Sequence, residues 1–218
     1  MGKAIPTVEG WHSQHMVFAM DFSAWNCFTE DEKAAARNEL KAFLADLEAK
    51  HQAKEGSYAF YDCNGAKGDL ILWILGPSLE YLAQVERKFR RLAIASVLVQ
   101  TYSYTSVTEV STYVKAKLDT EEVNQKLYPH VPRDKYICFY NMTKKREGAD
   151  NWFMLPPQER GALMKAHGEL GKTYLDVLSE FTTGGCGLDD WEWGITIFSN
   201  DDIQFKKIVY DMRFEVAS

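Results

Sequence analysis

The sequence predicts an α+β protein assembled from two ferredoxin-like βαββαβ units. Three observations carry that expectation. Strand and helix periodicities alternate through the first half, the same order recurs in the second, and the chain between them bends at Pro129 and Pro132. With 218 residues, the chain has room for two units of about 100 residues each. Their sheets can pack face to face or curl into a barrel with helices outside, and the pattern leaves both open.

In the first unit, 8–114, a strand is expected over His12–Met20. Thr29 followed by Glu32 is a capping-box start for a long helix reaching about Glu55. Two strands follow near Ser57–Cys63 and Asp69–Leu75, divided by the turn signal Asn64-Gly65. A helix over Ser78–Ala93 leads to Ser96–Val107, whose Val, Thr and Tyr residues read as strand. Residues 115–134 read as a connector. The second unit, 135–218, begins with strand Tyr136–Met142 and a helix opened by Pro156 and Pro157. Strands near Gly185–Asp189 and Trp191–Ser199 and a helix over Asp202–Arg213 complete it. A final strand is expected to be missing, and the bare edge it leaves invites association.

Composition narrows the function. Hydrophobic residues make up 46% of the chain, enough for a sizeable core, and aromatic residues make up 13%, enough to line a pocket as well. The formal charge of −6 argues against general nucleic-acid binding, which needs a basic footprint. Two basic clusters run against that balance. Arg87-Lys88-Phe89-Arg90-Arg91 reads as the solvated face of a helix, while Lys144-Lys145-Arg146, just after a strand, could meet an anionic ligand. Cys27, Cys63, Cys138 and Cys186 show no metal-type spacing. No signal peptide precedes the first strand, and no apolar run approaches the roughly 18 residues of a membrane span. A reduced, cytoplasmic protein is expected.

His167 is the residue that points to chemistry. It stands alone on a helical stripe with Leu163, Met164, Leu170, Tyr174 and Leu178, a face that should turn inward. A buried, hydrogen-bonded histidine explains it in isolation. Gly168 and Gly171 beside it suggest bare backbone against which a large flat ligand with a central metal could lie. His12 and His15, three apart on a strand, face opposite sides, which argues against their sharing a metal.

Several segments are more specific than core patterning: Phe139-Tyr140-Asn141-Met142-Thr143-Lys144-Lys145-Arg146, Asp150-Asn151-Trp152-Phe153-Met154-Leu155-Pro156, and Met164-Lys165-Ala166-His167-Gly168. Gly187-Leu188-Asp189-Asp190-Trp191-Glu192-Trp193-Gly194, Gln204-Phe205-Lys206-Lys207 and Tyr210-Asp211-Met212-Arg213-Phe214 follow. Together they resemble the coproheme decarboxylases, a branch of the chlorite dismutase-like haem proteins. The resemblance is densest from Asn124 onward. It implies the barrel packing, a dimeric α+β barrel, and closed homopentameric rings. It also implies an iron porphyrin in the C-terminal unit with His167 as its proximal ligand. Members of that branch use hydrogen peroxide to turn two propionates of iron coproporphyrin III into vinyl groups, giving haem b. Tyr140 matches the family's radical tyrosine and Lys144 its lysine partner. Lys126 falls where relatives carry a propionate-binding arginine, keeping the charge but not the fork. Tyr113 and Ser218 match hydroxyls that hold other propionates, and Trp152 and Trp193 match aromatics near the pocket.

The residues suit that chemistry without the family. Oxidative decarboxylation must remove hydrogen from a β-carbon, so an oxidisable phenol beside an oxidising cofactor is apt. A ligand with four carboxylates needs cationic or hydroxyl partners. Each assignment has a plainer alternative: Tyr140 as strand packing, Lys144 and Lys126 as surface charges, the tryptophans as core. The match also departs from the pattern. Asn141 stands where most relatives have proline. Glu180, thirteen residues after His167, replaces the arginine of chlorite-dismutating relatives and the glutamine of many decarboxylases. An ionised glutamate repels chlorite, but it could accept the peroxide proton or simply end its helix. A haem-binding or haem-delivery protein without turnover is the competing expectation.

Overall fold

A computed structural model describes residues 2–111, 120–148 and 150–217. Residue contacts divide the chain into two units that do not follow chain order. One comprises Gly10–Val107 with Tyr128–Val131, the other Met1–Glu9, Thr108–Leu127 and Pro132–Ser218.

The first unit contains most of strand β1 (Thr7–Met20), helices α1 (Phe22–Cys27) and α2 (Glu30–Gln52), strands β2 (Ser57–Asp62) and β3 (Leu70–Gly76), helix α3 (Leu79–Phe89) and most of strand β4 (Leu98–Ser111). The strand order β2-β3-β1-β4 puts the last strand beside the first. The expected capping box is present: Glu32 N–H donates to Thr29 Oγ1 at 3.2 Å, and Thr29 N–H to Glu32 Oε2 at 2.8 Å. α2 stops at Gln52, before Glu55, where Lys54 takes a left-handed φ of 56°. Met16 and Phe18 of β1 and Leu72 and Ile74 of β3 pack against Phe43 and Leu47 of α2 and Leu82, Val85 and Phe89 of α3. The amphipathic helices thereby bury their apolar stripes on one sheet face. The cluster at Arg87 is a solvated helix face, as expected: Arg90 pairs with Glu86 at 2.7 Å and Lys88 with Asp46 at 3.6 Å, around a buried Phe89.

The second unit holds helix α4 (Glu121–Leu127), strand β5 (Tyr136–Met142), the short pair β6 (Arg146–Glu147) and β7 (Asp150–Asn151), helix α5 (Pro157–Lys172), strands β8 (Ser179–Gly184) and β9 (Trp193–Ser199), and helix α6 (Ile203–Met212). β9 lies between β8 and β5, antiparallel to both. Ile195 and Ile197 of β9 pack with Leu178 and Ile208, so α6 covers one face of this sheet. No strand follows α6 among the described residues.

Three expectations change. The strand placed at Gly185–Asp189 is a turn, and the strand itself is Ser179–Gly184. Gly187 has φ 78°, which suits a tight return and not extended backbone. The helix expected to continue through Tyr174 and Leu178 ends at Lys172, and the chain turns before entering β8. The connector contains α4, which Thr120 caps by accepting the Val123 N–H at 3.3 Å. All four cysteines are free thiols, and no helix among the described residues is long and apolar enough to cross a membrane.

Candidate functional site

A cavity of about 780 Å³ opens in the second unit, within the 300–1,000 Å³ typical of small-molecule and cofactor pockets. Its floor is the sheet face bearing Ile195 and Ile197. Tyr140 pairs with Ile195 across β5–β9, and Glu180 pairs with Ile197 across β8–β9. Directly paired residues share a face, so the phenol and the carboxyl emerge on the cavity side of the sheet. One wall is α5, where Glu159, Leu163 and His167 recur every four residues and form a single stripe. The opposite wall comes from α6 and the turn after it, through Val209, Met212, Arg213 and Val216. Thr143, Lys144, Lys145, Asp150, Trp152 and Leu155 are among the other lining residues.

The α5 stripe therefore borders an open cavity and not a packed core, which corrects the expectation of a fully inward apolar face. His167 is half-buried. Burial and the nearby Lys144 charge pull its pKa down, with Glu215 opposing. The imidazole is thus held neutral, the state with a lone pair for a metal. Neither Gly168 nor Gly171 lines the cavity: a Cβ on Gly168 would meet nothing within 4 Å, and one on Gly171 would touch Met212 at 3.6 Å.

Tyr140 and Glu180 are both raised above their ordinary values. Burial pushes the Tyr140 phenol up to about 12, helped by Glu180 and Cys138 and opposed by Arg213. The phenol holds its proton at neutral pH. The Glu180 carboxyl is open to the cavity, yet the surrounding protein raises its pKa by desolvation, with Thr182 opposing through a hydrogen bond. Glu180 does not end a helix; it lies in β8. Lys144 places its ammonium 5.1 Å from the centre of the Trp152 ring. Its pKa is lowered by burial and pushed back up by Glu192.

Of the residues singled out from sequence, Tyr140, Lys144, Trp152, His167 and Glu180 all line this cavity. Trp193 does not; its indole donates to Glu109, whose carboxyl lies 2.7 Å from where a Gly184 Cβ would stand. Lys126 is an exposed residue of α4 paired with Glu122 at 3.0 Å, and it is not among the cavity residues. Tyr113 and Ser218 lie outside the described residues. Arg213 was not foreseen, although Val209, Met212, Arg213 and Val216 form a helical i, i+3, i+4, i+7 stripe with one charged member.

The donor set describes what the cavity fits. Among the described residues no three His, Cys, Asp or Glu gather as a metal cluster, so a metal at His167 must arrive with its other ligands already bound. Apolar side chains from β9, α5 and α6 suit a flat macrocycle, and Lys144, Lys145 and Arg213 suit its carboxylates. Comparison with known proteins agrees. Residues 33–218 match the family model described as chlorite dismutase. The chain belongs to the chlorite dismutase family. A heme-binding protein from Thermus thermophilus is 41% identical and superposes with a TM-score of 0.95, over 100% of this chain and 89% of that one. Chlorite dismutase from Candidatus Nitrospira defluvii in complex with imidazole is 18% identical, with a TM-score of 0.73 over 94% of this chain and 83% of that one. A putative chlorite dismutase, TA0507, is 14% identical, with a TM-score of 0.72 over 94% and 86%. The last two share the α+β fold with its antiparallel sheet.

Proposed function

We propose that this chlorite dismutase family member binds an iron porphyrin in the cavity, with His167 as the residue that would hold its iron, and decarboxylates iron coproporphyrin III with hydrogen peroxide to give haem b. The observation that carries this reading is a neutral imidazole, a protonated phenol and a half-buried ammonium lining one cavity of cofactor size. Its heme-binding part is supported by the 41% identical relative described as a heme-binding protein, and its enzymatic part by a family that includes enzymes.

Bound there, an iron porphyrin supplies the two-electron chemistry by which peroxide becomes water. Each propionate in turn gives up carbon dioxide, two electrons and one β-proton to become a vinyl group; peroxide takes the electrons and, with that proton and one more from solvent, becomes two waters. The chain's residues do the rest. Lys144 and Arg213 orient carboxylates through charge-assisted hydrogen bonds. Tyr140 holds a proton on Oη and is the side chain through which an electron and that proton pass. Glu180 accepts a proton at its carboxylate when it is ionised. Its negative charge also repels chlorite, so chlorite dismutation is disfavoured.

Adding iron coproporphyrin III and titrating peroxide, with mass spectrometry of the porphyrin, tests the reaction. Loss of two carboxyl groups is expected; unchanged porphyrin overturns it. Tyr140→Phe should keep the Soret band and lose decarboxylation. One observation favours a second reading, a haem carrier without turnover. Lys126, matched to a propionate partner, is paired with Glu122 and is not among the residues lining the cavity. A carrier predicts that Tyr140→Phe changes nothing.

A further inference from the structure

Glu192 is not a cavity residue, yet it holds the segment that carries Lys144. Its own place is fixed by the return between β8 and β9. Gly185 N–H donates to the Glu192 carbonyl at 2.8 Å, and the Leu188 and Asp189 N–H groups donate to the Gly185 carbonyl at 2.9 Å. From this fixed point the carboxylate reaches the loop after β5 with both oxygens. Oε2 accepts the backbone N–H of Lys144 at 2.8 Å, and Oε1 lies 3.5 Å from Arg146 Nη2. The residue is 9% exposed. A buried carboxylate with a charge-assisted hydrogen bond on one oxygen and a cation near the other is a strong, directional anchor. Without it, a part-buried N–H at Lys144 would lose its acceptor, at the cost of its desolvation.

We infer that Glu192 is a positioning residue for the ligand: by gripping the Lys144 backbone and the Arg146 side chain, it aims the Lys144 ammonium past Trp152 into the cavity. The inference rests on the reading of Lys144 as a carboxylate partner. It makes Glu192 decisive for how the protein tells a four-carboxylate porphyrin from a two-carboxylate one, although Glu192 itself touches neither. The Lys144 backbone and the Arg146 side chain meet the same carboxylate from two residues apart, so one side chain ties down both ends of the Lys144-Lys145-Arg146 run.

Two measurements on the full chain test it. In the ligand-free protein, Glu192→Ala should speed hydrogen exchange at the Lys144 amide by roughly tenfold or more, the value of a hydrogen bond to a charged group. Glu192→Gln, which keeps an acceptor of the same shape, should fall between. Unchanged exchange at that amide in both variants overturns the grip. Titrations with iron coproporphyrin III and with haem b then give an affinity ratio. Glu192→Ala and Lys144→Ala should each lower that ratio by roughly tenfold, and the double variant should go no lower than Lys144→Ala alone. Equal losses for both porphyrins, with the ratio intact, mean a merely structural role and overturn the inference. Wild-type protein that binds neither porphyrin overturns the functional reading and the ligand role together, while the exchange result still decides whether the grip exists.

Discussion

At His167, burial and the Lys144 charge act in the same direction, and the imidazole stays neutral where a metal ligand must be. His167→Gly should therefore bind iron porphyrin with an altered Soret band, and added free imidazole should restore it through the space left beside Leu163. Glu180 behaves in the opposite sense. Desolvation raises its folded pKa above the ordinary carboxylate value, so the stability linked to its proton is present below the unfolded pKa and is lost as pH rises through the folded one. Its ionised form is consequently a burden at neutral pH. Glu180→Gln should be more stable than wild type near pH 7, with the difference vanishing below about pH 4.5, as read by urea unfolding. If Glu180 accepts a proton in turnover, the same variant should also lose the acidic limb of the rate profile. Much of this site could be read from sequence, because a lone polar residue on an apolar stripe marks both His167 and Arg213. The second stripe went unread only because its charged member sits at a helix end, where a cation is ordinary. Glu192 left no such mark, since its role depends on a contact 48 residues away in sequence.

Helix α5 shows how an element can serve the site with one face and remain free on the other. Pro157 opens it with φ already fixed, and Arg160 in its first turn is buried and donates to the Lys3 carbonyl. Glu159, Leu163 and His167 face the cavity, while Gly168 faces open space. Gly168→Ala should accordingly stabilise the protein by about 0.5–1 kcal/mol, the backbone-entropy cost of a mid-helix glycine, and leave porphyrin affinity unchanged. Thermal melting and a Soret titration check the pair of outcomes; weakened binding would restore the bare-backbone role first suggested by the sequence. Helices α2, α3 and α6 and strand β9 were legible because their apolar periods face packed partners. β8 was not, for a physical reason. Its cavity side carries Glu180 and Thr182 where a strand usually shows apolar residues, so the functional face erased the alternation that identifies a strand. The glycines of the following turn then drew the assignment downstream.

Over the whole molecule, the net charge is −6, and the cavity lining sets the cations Lys144, Lys145 and Arg213 beside the carboxyls of Asp150, Glu159 and Glu180. Where each charge stands, and not a net sign, decides how an anionic ligand is received. Stability also depends on pH in the first unit, through a buried histidine. His15 is fully buried, paired across β1–β3 with Trp73 and stacked on it at 4.8 Å and 11°. Desolvation drives its pKa well below 6.5. For a base with a depressed folded pKa, the stability from burying it neutral is complete above the unfolded value and is lost as pH falls from about 6.5 towards the folded one. Across that window the unfolded chain takes up a proton the folded chain refuses. One such proton contributes a slope of about 1.4 kcal/mol per pH unit. His15→Phe keeps a ring for Trp73 to stack on and removes the proton site. Urea unfolding from pH 7 to pH 4 should show the variant's stability falling less steeply by up to that slope, whatever its stability at pH 7. Parallel pH profiles for the two proteins would place the acid sensitivity elsewhere.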